Sequence, residues 1–245
     1  MPKQSGLGDA LYLDFYDLSG DVGAIDQLGG GPSPLGVTAI DKSAMERLGG
    51  LRDGGLEFTS FFNPSANQEH AALRGLPTTD RVASYFRGTT LGGEAASLVA
   101  KQINYDATRG EDGSLTFKVQ ALANGFGLDW GRSLTAGKRT DGAPTNGASV
   151  DHTDVSTAFG WQAFLHVFAF TGTSVTVTLQ DSADDAAFAN LTGGAFTAAT
   201  GQTSQRLEGG RTATVRRYLR AITSGTFSNA VFAVVFSRNL TAVAY

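Results

Sequence analysis

Glycine punctuates this chain 32 times in 245 residues, and a residue without a side chain serves best where the backbone must turn tightly. With abundant β-branched residues and 16 Phe, that pattern suits many short strands joined by tight turns. Hydrophobic residues make up 41% of the chain, enough to build a core. Charged residues reach only 17%, against roughly 25% for an average soluble chain. The length fits one large β domain or two ordinary ones. No apolar run approaches the ~20 residues needed to cross a bilayer, so no membrane partner is expected. The N-terminus, Met1-Pro2-Lys3-Gln4-Ser5-Gly6, lacks the apolar centre of a secretory signal, so synthesis in a cytoplasm is the expectation. Without cysteine there are no disulfides or thiolate metal sites.

Net charge is −4, unevenly spread. Residues 1–136 carry 11 Lys/Arg against 16 Asp/Glu, residues 137–150 carry two Lys/Arg against one Asp, and residues 151–245 carry six of each sign. The negative excess therefore sits in the first part. A nucleic-acid reader would instead carry a basic stripe to displace counterions from phosphates.

The stretch at residues 135–149, TAGKRTDGAPTNGAS, has no large apolar residue and several turn formers. It divides the chain into a first domain (1–136), a linker (137–150) and a C-terminal β domain (151–245) expected to fold separately. In the first domain, alternation marks a strand at residues 11–16, with others at 22–28, 35–40, 56–62, 81–87, 97–105 and 114–122. Between the second and third of these, Gly29-Gly30-Gly31-Pro32-Ser33-Pro34 reads as a long, mobile hairpin loop. One helix follows, with Asn63 as N-cap, Pro64 in the first turn, Ala72, Leu73 and Leu76 as its apolar side, and Pro77 as its stop. In the C-terminal domain, residues 161–170 are apolar on both faces, as in a central buried strand. Residues 175–180 alternate, and residues 216–222 and 231–236 supply two more strands, as in a small sandwich or jelly-roll.

Candidates for chemistry are few. The three histidines, His70, His152 and His166, fall on a helix, beside the linker and within an apolar strand, and no G-x-S-x-G elbow accompanies them. His166 reads as a hydrogen-bonded core or interface residue. Asp151, His152 and Asp154 lie close together, and Asp181, Asp184 and Asp185 form an acidic turn. The second group lacks the closing Glu of a twelve-residue calcium loop, and both read as solvated turns. The triple glycine lacks the Lys and Ser/Thr of a phosphate loop. Arg206, Arg211, Arg216, Arg217 and Arg220 form a basic cluster that strand alternation splits between faces. Pairing with acidic neighbours is the favoured reading; a sugar or anion site is the other. No catalytic residue, metal or cofactor is expected.

Three runs carry a resemblance. Leu51-Arg52-Asp53-Gly54-Gly55-Leu56-Glu57-Phe58-Thr59-Ser60-Phe61-Phe62-Asn63-Pro64 resembles the major tail proteins of long-tailed bacteriophages. So do Leu76-Pro77-Thr78-Thr79-Asp80-Arg81 leading into Tyr85-Phe86-Arg87-Gly88, and Lys101-Gln102-Ile103-Asn104-Tyr105-Asp106 followed by Gly113-Ser114-Leu115-Thr116-Phe117. The likeness spans residues 11–131. It implies a mainly β protein: a β-sandwich or partial barrel with one flanking helix, followed by a small outer sandwich or jelly-roll. It also implies hexameric rings stacked into a hollow tube through which DNA passes without specific binding. The implied partners are tape-measure, tail-terminator and distal-tail proteins, and the implied place is the tail of a virion assembled in the host cytoplasm. On this reading Gly29, Gly30, Gly31, Pro32, Ser33 and Pro34 touch the next ring. Asp14, Asp17, Asp21 and Asp26, from the acid-rich N-terminal third, line the lumen. The alternative is a carbohydrate-binding virion or secreted protein whose second domain does the binding.

Overall fold

The computed structural model describes residues 5–76, 79–153 and 155–242. The first part contains β1 (Ala10–Leu13), β2 (Tyr16–Asp17), β3 (Val22–Gly36), β4 (Arg47–Phe61), α1 (Glu69–Leu73), β5 (Arg81–Phe86), β6 (Glu94–Gln102), β7 (Asp106–Arg109), β8 (Leu115–Ala123) and β9 (Asp129–Ser133). After it come β10 (Arg139–Asp141), β11 (Val150–Asp151), β12 (Trp161–Ser182), β13 (Ala189–Ala195), β14 (Thr203–Gly209) and β15 (Tyr218–Arg238). The expected mainly β architecture with a minor helix holds.

Pairing links every strand into one network, with the path β13-β12-β15-β9-β6-β5-β1-β2 running through both halves. One edge of β6 pairs along its length with β5. The other edge is shared, Glu94–Ser97 with β9 and Ala100–Gln102 with β8. The second branch brings in β4, and β4 brings in β3.

The two strands expected at 161–170 and 175–180 are one, β12, and those expected at 216–222 and 231–236 are one, β15. The ladder between them bends where its register shifts around Gly172. Gly172 holds φ 152°, and a Cβ there would lie 2.4 Å from the Phe227 Cα. A bulge at a residue without a side chain turns a strand sharply without ending it. Sequence periodicity sees such a bend as a gap between two strands.

Three apolar clusters result. One lies within the C-terminal half around Trp161, Leu179, Phe196, Phe232 and Phe236. A second lies within the first part around Leu11, Leu13, Leu56, Phe58, Leu73 and Val119. The third joins them: Ala10, Tyr12, Val82, Phe86, Ala95 and Val99 pack on Phe164, Phe168, Ala233 and Val235. In this seam the Tyr12 ring sits 4.9 Å from Phe86 and 4.8 Å from Phe168, centroid to centroid. Because β1 turns Leu11 and Leu13 to one core and Ala10 and Tyr12 to the other, it is buried on both faces.

A polar relay crosses the seam. His166 is fully buried, and its Nδ1 lies 2.5 Å from the Asp14 carbonyl, which only accepts. Nδ1 therefore carries the proton. Burial pushes His166 down to about 4, so near neutral pH the ring is uncharged and Nε2 accepts from the Ser84 hydroxyl at 2.8 Å. Ser84 in turn accepts from Ser97 at 2.7 Å.

The stretch expected as a linker is tied to β15. Arg139–Asp141 pairs with Ala230–Phe232. Arg139 Nε and Nη2 donate to buried Asp141 at 2.8 and 2.7 Å, and Thr223 donates to the same carboxylate at 2.7 Å. The Gly147 amide reaches the Ala221 carbonyl.

The helix begins at Glu69, not beside Asn63, and Gln68 at its N-cap gives no side-chain bond. The cap comes from far away in sequence. Buried Asp21 accepts the Glu69 amide at 3.0 Å and the Asn63 side-chain amide at 2.8 Å. The Pro77 stop lies outside the described residues, as do Met1–Gln4 and Asp154 of the candidate metal group. Asp21→Ala is expected to cost about 2 kcal/mol in urea unfolding. A stability unchanged within error would show that the carboxylate does not hold this corner together.

Candidate assembly surface

The Gly-Pro stretch is strand, not loop. β3 pairs with β4 from Val22↔Ser60 to Gly36↔Arg47, and the turn falls at residues 37–46. β3 has no partner on its other edge among the described residues, so Pro32 and Pro34, which donate no backbone hydrogen bond, are tolerated there. Gly30 sits where a Cβ would meet the Asp53 carbonyl at 2.3 Å, which is why the strands close only over a bare backbone.

β4 gains a second neighbour, β8, only over Gly55–Phe61. Beyond that point the two strands form a ribbon with no third strand among the described residues. The ribbon and its turn carry exposed apolar side chains: Leu35 at 51%, Leu48 at 59%, Leu51 at 87%, and also Val37, Ile40 and Met45. Leu35 and Leu48 are directly paired, so they share one face. At the far end Val37 donates to the Glu46 carbonyl, and the Glu46 amide donates to Thr38 Oγ1 at 2.8 Å.

The four candidate acids are dispersed. Asp14, in the left-handed region at φ 52°, faces Arg81 at 2.8 Å and accepts from Ser204 at 2.9 Å; burial holds its carboxyl above the usual range. Asp17 pairs with Lys138 at 2.5 Å. Asp21 is the buried cap described above. Asp26 is the exposed one, accepting from Thr59 at 2.9 Å on the polar face of β3, β4 and β8. On that face Gln120 also donates to Glu57 at 2.6 Å.

No protein-family model matches the sequence, and no curated protein does. Solved structures do. One is the virion of a native gene transfer agent particle, 15% identical, covering 52% of this chain and 98% of the other with a TM-score of 0.44. Another is the Dit (gp 19.1) protein of phage SPP1, 12% identical, covering 95% and 99% with a TM-score of 0.34. The phage p2 baseplate in its activated conformation is 10% identical, covering 96% and 99%, again at 0.34.

Most of the candidate chemical groups find ordinary partners, while His152 is buried with its Nε2 unbonded among the described residues. His70 Nδ1 lies 2.9 Å from the Tyr105 hydroxyl, which donates to Glu69 at 3.0 Å. His152 is buried and held down to about 3, chiefly by burial and then by repulsion from Arg238 and Arg132. Asp184 accepts from the Ala186 and Ala187 amides in its own turn. Among the described residues no group of three or more His, Cys, Asp or Glu could hold a metal ion. The arginines pair as acidic neighbours allow: Arg216 with Asp181 at 2.6 Å, Arg217 with Asp151 at 2.7 Å and Arg206 with Glu208 at 2.8 Å. Sequence reasoning missed the exposed leucines of the arm. The signal was there in Leu35, Leu48 and Leu51, scattered among glycines that made the region read as loop.

Proposed function

We propose that this protein is a structural subunit of a phage-type tail, assembling with copies of itself into hexameric rings that stack as a hollow tube for DNA delivery. The observation that carries this reading is the projecting β3–β4 arm. An isolated two-stranded ribbon is marginal in water, and exposed apolar side chains gathered on one element mark a contact surface. A partner chain lying along the unpaired edge of β3 would complete its hydrogen bonds and cover Leu35 and Leu48. A head-to-tail contact of that kind forms a ring when the rotation closes and a filament when it does not.

The polar face of β3, β4 and β8 suits a channel wall, with Asp26 and Glu57 turned outward. Lys118 stands on the same face opposite Thr59, and Asp26 and Glu57 outnumber it; the carboxylate excess repels phosphates and lets a duplex slide, within a Debye length of about 8 Å. The Gly-Pro segment of the arm lies on the ring-to-ring contact, and tape-measure, terminator and distal-tail proteins meet the ends of the tube.

The test replaces Leu35, Leu48 and Ile40 together with Ser. Wild-type protein at high concentration is expected to show rings or tubes by negative-stain microscopy. The triple variant is expected to stay a folded monomer with an unchanged far-UV spectrum. A wild-type protein that remains monodisperse and small under seeded conditions would rule out assembly as its role.

A further inference from the structure

A cleft of about 540 Å³ opens between the base of the arm and the C-terminal half. Leu51 of β4 lines one side, Phe126 in the turn after β8 a second, and Gln162 of β12 a third. The Arg206 guanidinium lies 3.7 Å from the centre of the Phe126 ring and fixes it, yet 41% of Phe126 stays exposed. Gln162 is 5% exposed, and its buried Oε1 has no hydrogen-bond partner among the described residues. A buried acceptor left unbonded is costly in a protein interior. Arg206 is already paired with Glu208 and Arg52 with Asp129. What distinguishes the cleft is therefore an aromatic ring beside an unused acceptor, not a charge.

The tip of the arm carries the complementary groups. Within the turn at residues 37–46 the Lys42 amide donates to the Ala39 carbonyl, which makes Ile40 and Asp41 the central pair of a β-turn. Their amides have no hydrogen bond among the described residues, and the Ile40 side chain is fully exposed. An apolar side chain beside unused donors matches a ring beside an unused acceptor. The tip does not reach the cleft at its own base. The ladder continues to Gly36↔Arg47 and holds the turn away; from Arg52 to Arg47 alone the strand advances about 17 Å.

We infer that the arm tip of one copy docks in the cleft of another, with Ile40 against Phe126 and Leu51 and a tip amide donating to Gln162 Oε1. This rests on the tube reading above and names the contact between successive rings. The giving and receiving surfaces are different and lie at opposite ends of the same arm. Each docking event therefore leaves one tip and one cleft unfilled, so the contact propagates without closing. Copies joined this way place their arms tip to base in a line. The Phe126 ring is already held by Arg206, so docking costs it little side-chain freedom.

The chain has no cysteine, so introduced thiols report this contact alone. Full-length Asp41→Cys and Leu51→Cys proteins, which keep Ile40, Phe126 and Gln162, are mixed under assembly conditions and oxidised with copper–phenanthroline. A disulfide needs the two Cα atoms within about 7 Å of each other. Peptide mass spectra are expected to show the 41–51 disulfide at least tenfold above the yield from Asp41→Cys mixed with Leu7→Cys, an exposed position outside the cleft. Gln162→Met keeps the bulk of the side chain and removes the acceptor. It is expected to hold the melting temperature and to raise the concentration needed for tubes at least threefold, while Ile40→Ser is expected to leave rings that do not stack. Wild-type tubes that form without the 41–51 disulfide would mean that something else covers the cleft, and would overturn this inference alone. So would Gln162→Met and Ile40→Ser proteins that both stack as the wild type does. Wild-type protein that forms no tubes overturns this inference together with the tube reading.

Discussion

A chain ending at Gly137 is expected to fail as an independent fold. The cut removes β12 and β15, and with them Phe164, Phe168, Ala233 and Val235 from the seam. Tyr12, Val82, Phe86 and Val99, each under 10% exposed in the full chain, would then face water. At about 1.5–3 kcal/mol for each large side chain uncovered, the loss rivals the whole net stability of an ordinary domain, about 5–15 kcal/mol. Charge distribution and the Gly-rich stretch at 135–149 suggest separable halves; the seam argues that they fold together. The truncated protein is expected in the insoluble fraction, or soluble without a cooperative unfolding transition. A soluble 1–137 fragment with a sharp transition would show that the first part stands without the seam.

Acid is expected to weaken the protein before any carboxylate titrates in the unfolded chain. Burial holds His166 down to about 4, and burial with two nearby arginines holds His152 down to about 3. In the unfolded chain both titrate near 6.5. As pH falls below 6.5 the unfolded state takes up protons that the folded state refuses. Stability is therefore full above 6.5 and is lost progressively toward pH 4. The loss is on the order of 3 kcal/mol for each histidine over that window. Asp14 shifts the opposite way, since burial raises its carboxyl, and it offsets part of the loss only at the acid end. Urea midpoints measured from pH 8 to pH 4 should fall steadily below 6.5. His166→Gln keeps a donor and an acceptor in the relay, so it should be less stable at pH 8 but show a shallower decline. A flat profile from pH 8 to pH 5 would contradict the buried, neutral state of both rings.

Much of this fold was legible in the sequence because strand periodicity survives tertiary context. The segments 81–87 and 114–122 match β5 and β8 within a residue or two, and the double-sided apolar run at 161–170 is the buried start of β12. What escaped did so for physical reasons. Asn63 and Pro64 make a sound local helix start, yet Asp21 supplies the cap 48 residues away, and no local pattern encodes that. The Gly-Pro run reads as loop because propensity assumes a strand with two neighbours, while among the described residues β3 pairs only with β4. The acids of the N-terminal third read as a group because they are close in sequence. The fold gives Asp14 to Arg81, Asp17 to Lys138 and Asp21 to the helix, and leaves Asp26 facing water.

The uneven ladders of the sheet also determine how the molecule carries force. Tension along the strands between β12 and β15 is shared by 20 residue pairs loaded together in shear. Between β15 and β9, where the C-terminal half meets the first part, only Val235↔Ser133 and Phe236↔Arg132 are paired. A load pulling the halves apart is therefore shared by those two pairs, the aromatic seam and the His166 and Ser204 contacts to the first part. Pulled apart, the protein is expected to yield first at that junction and not within the long β12–β15 ladder.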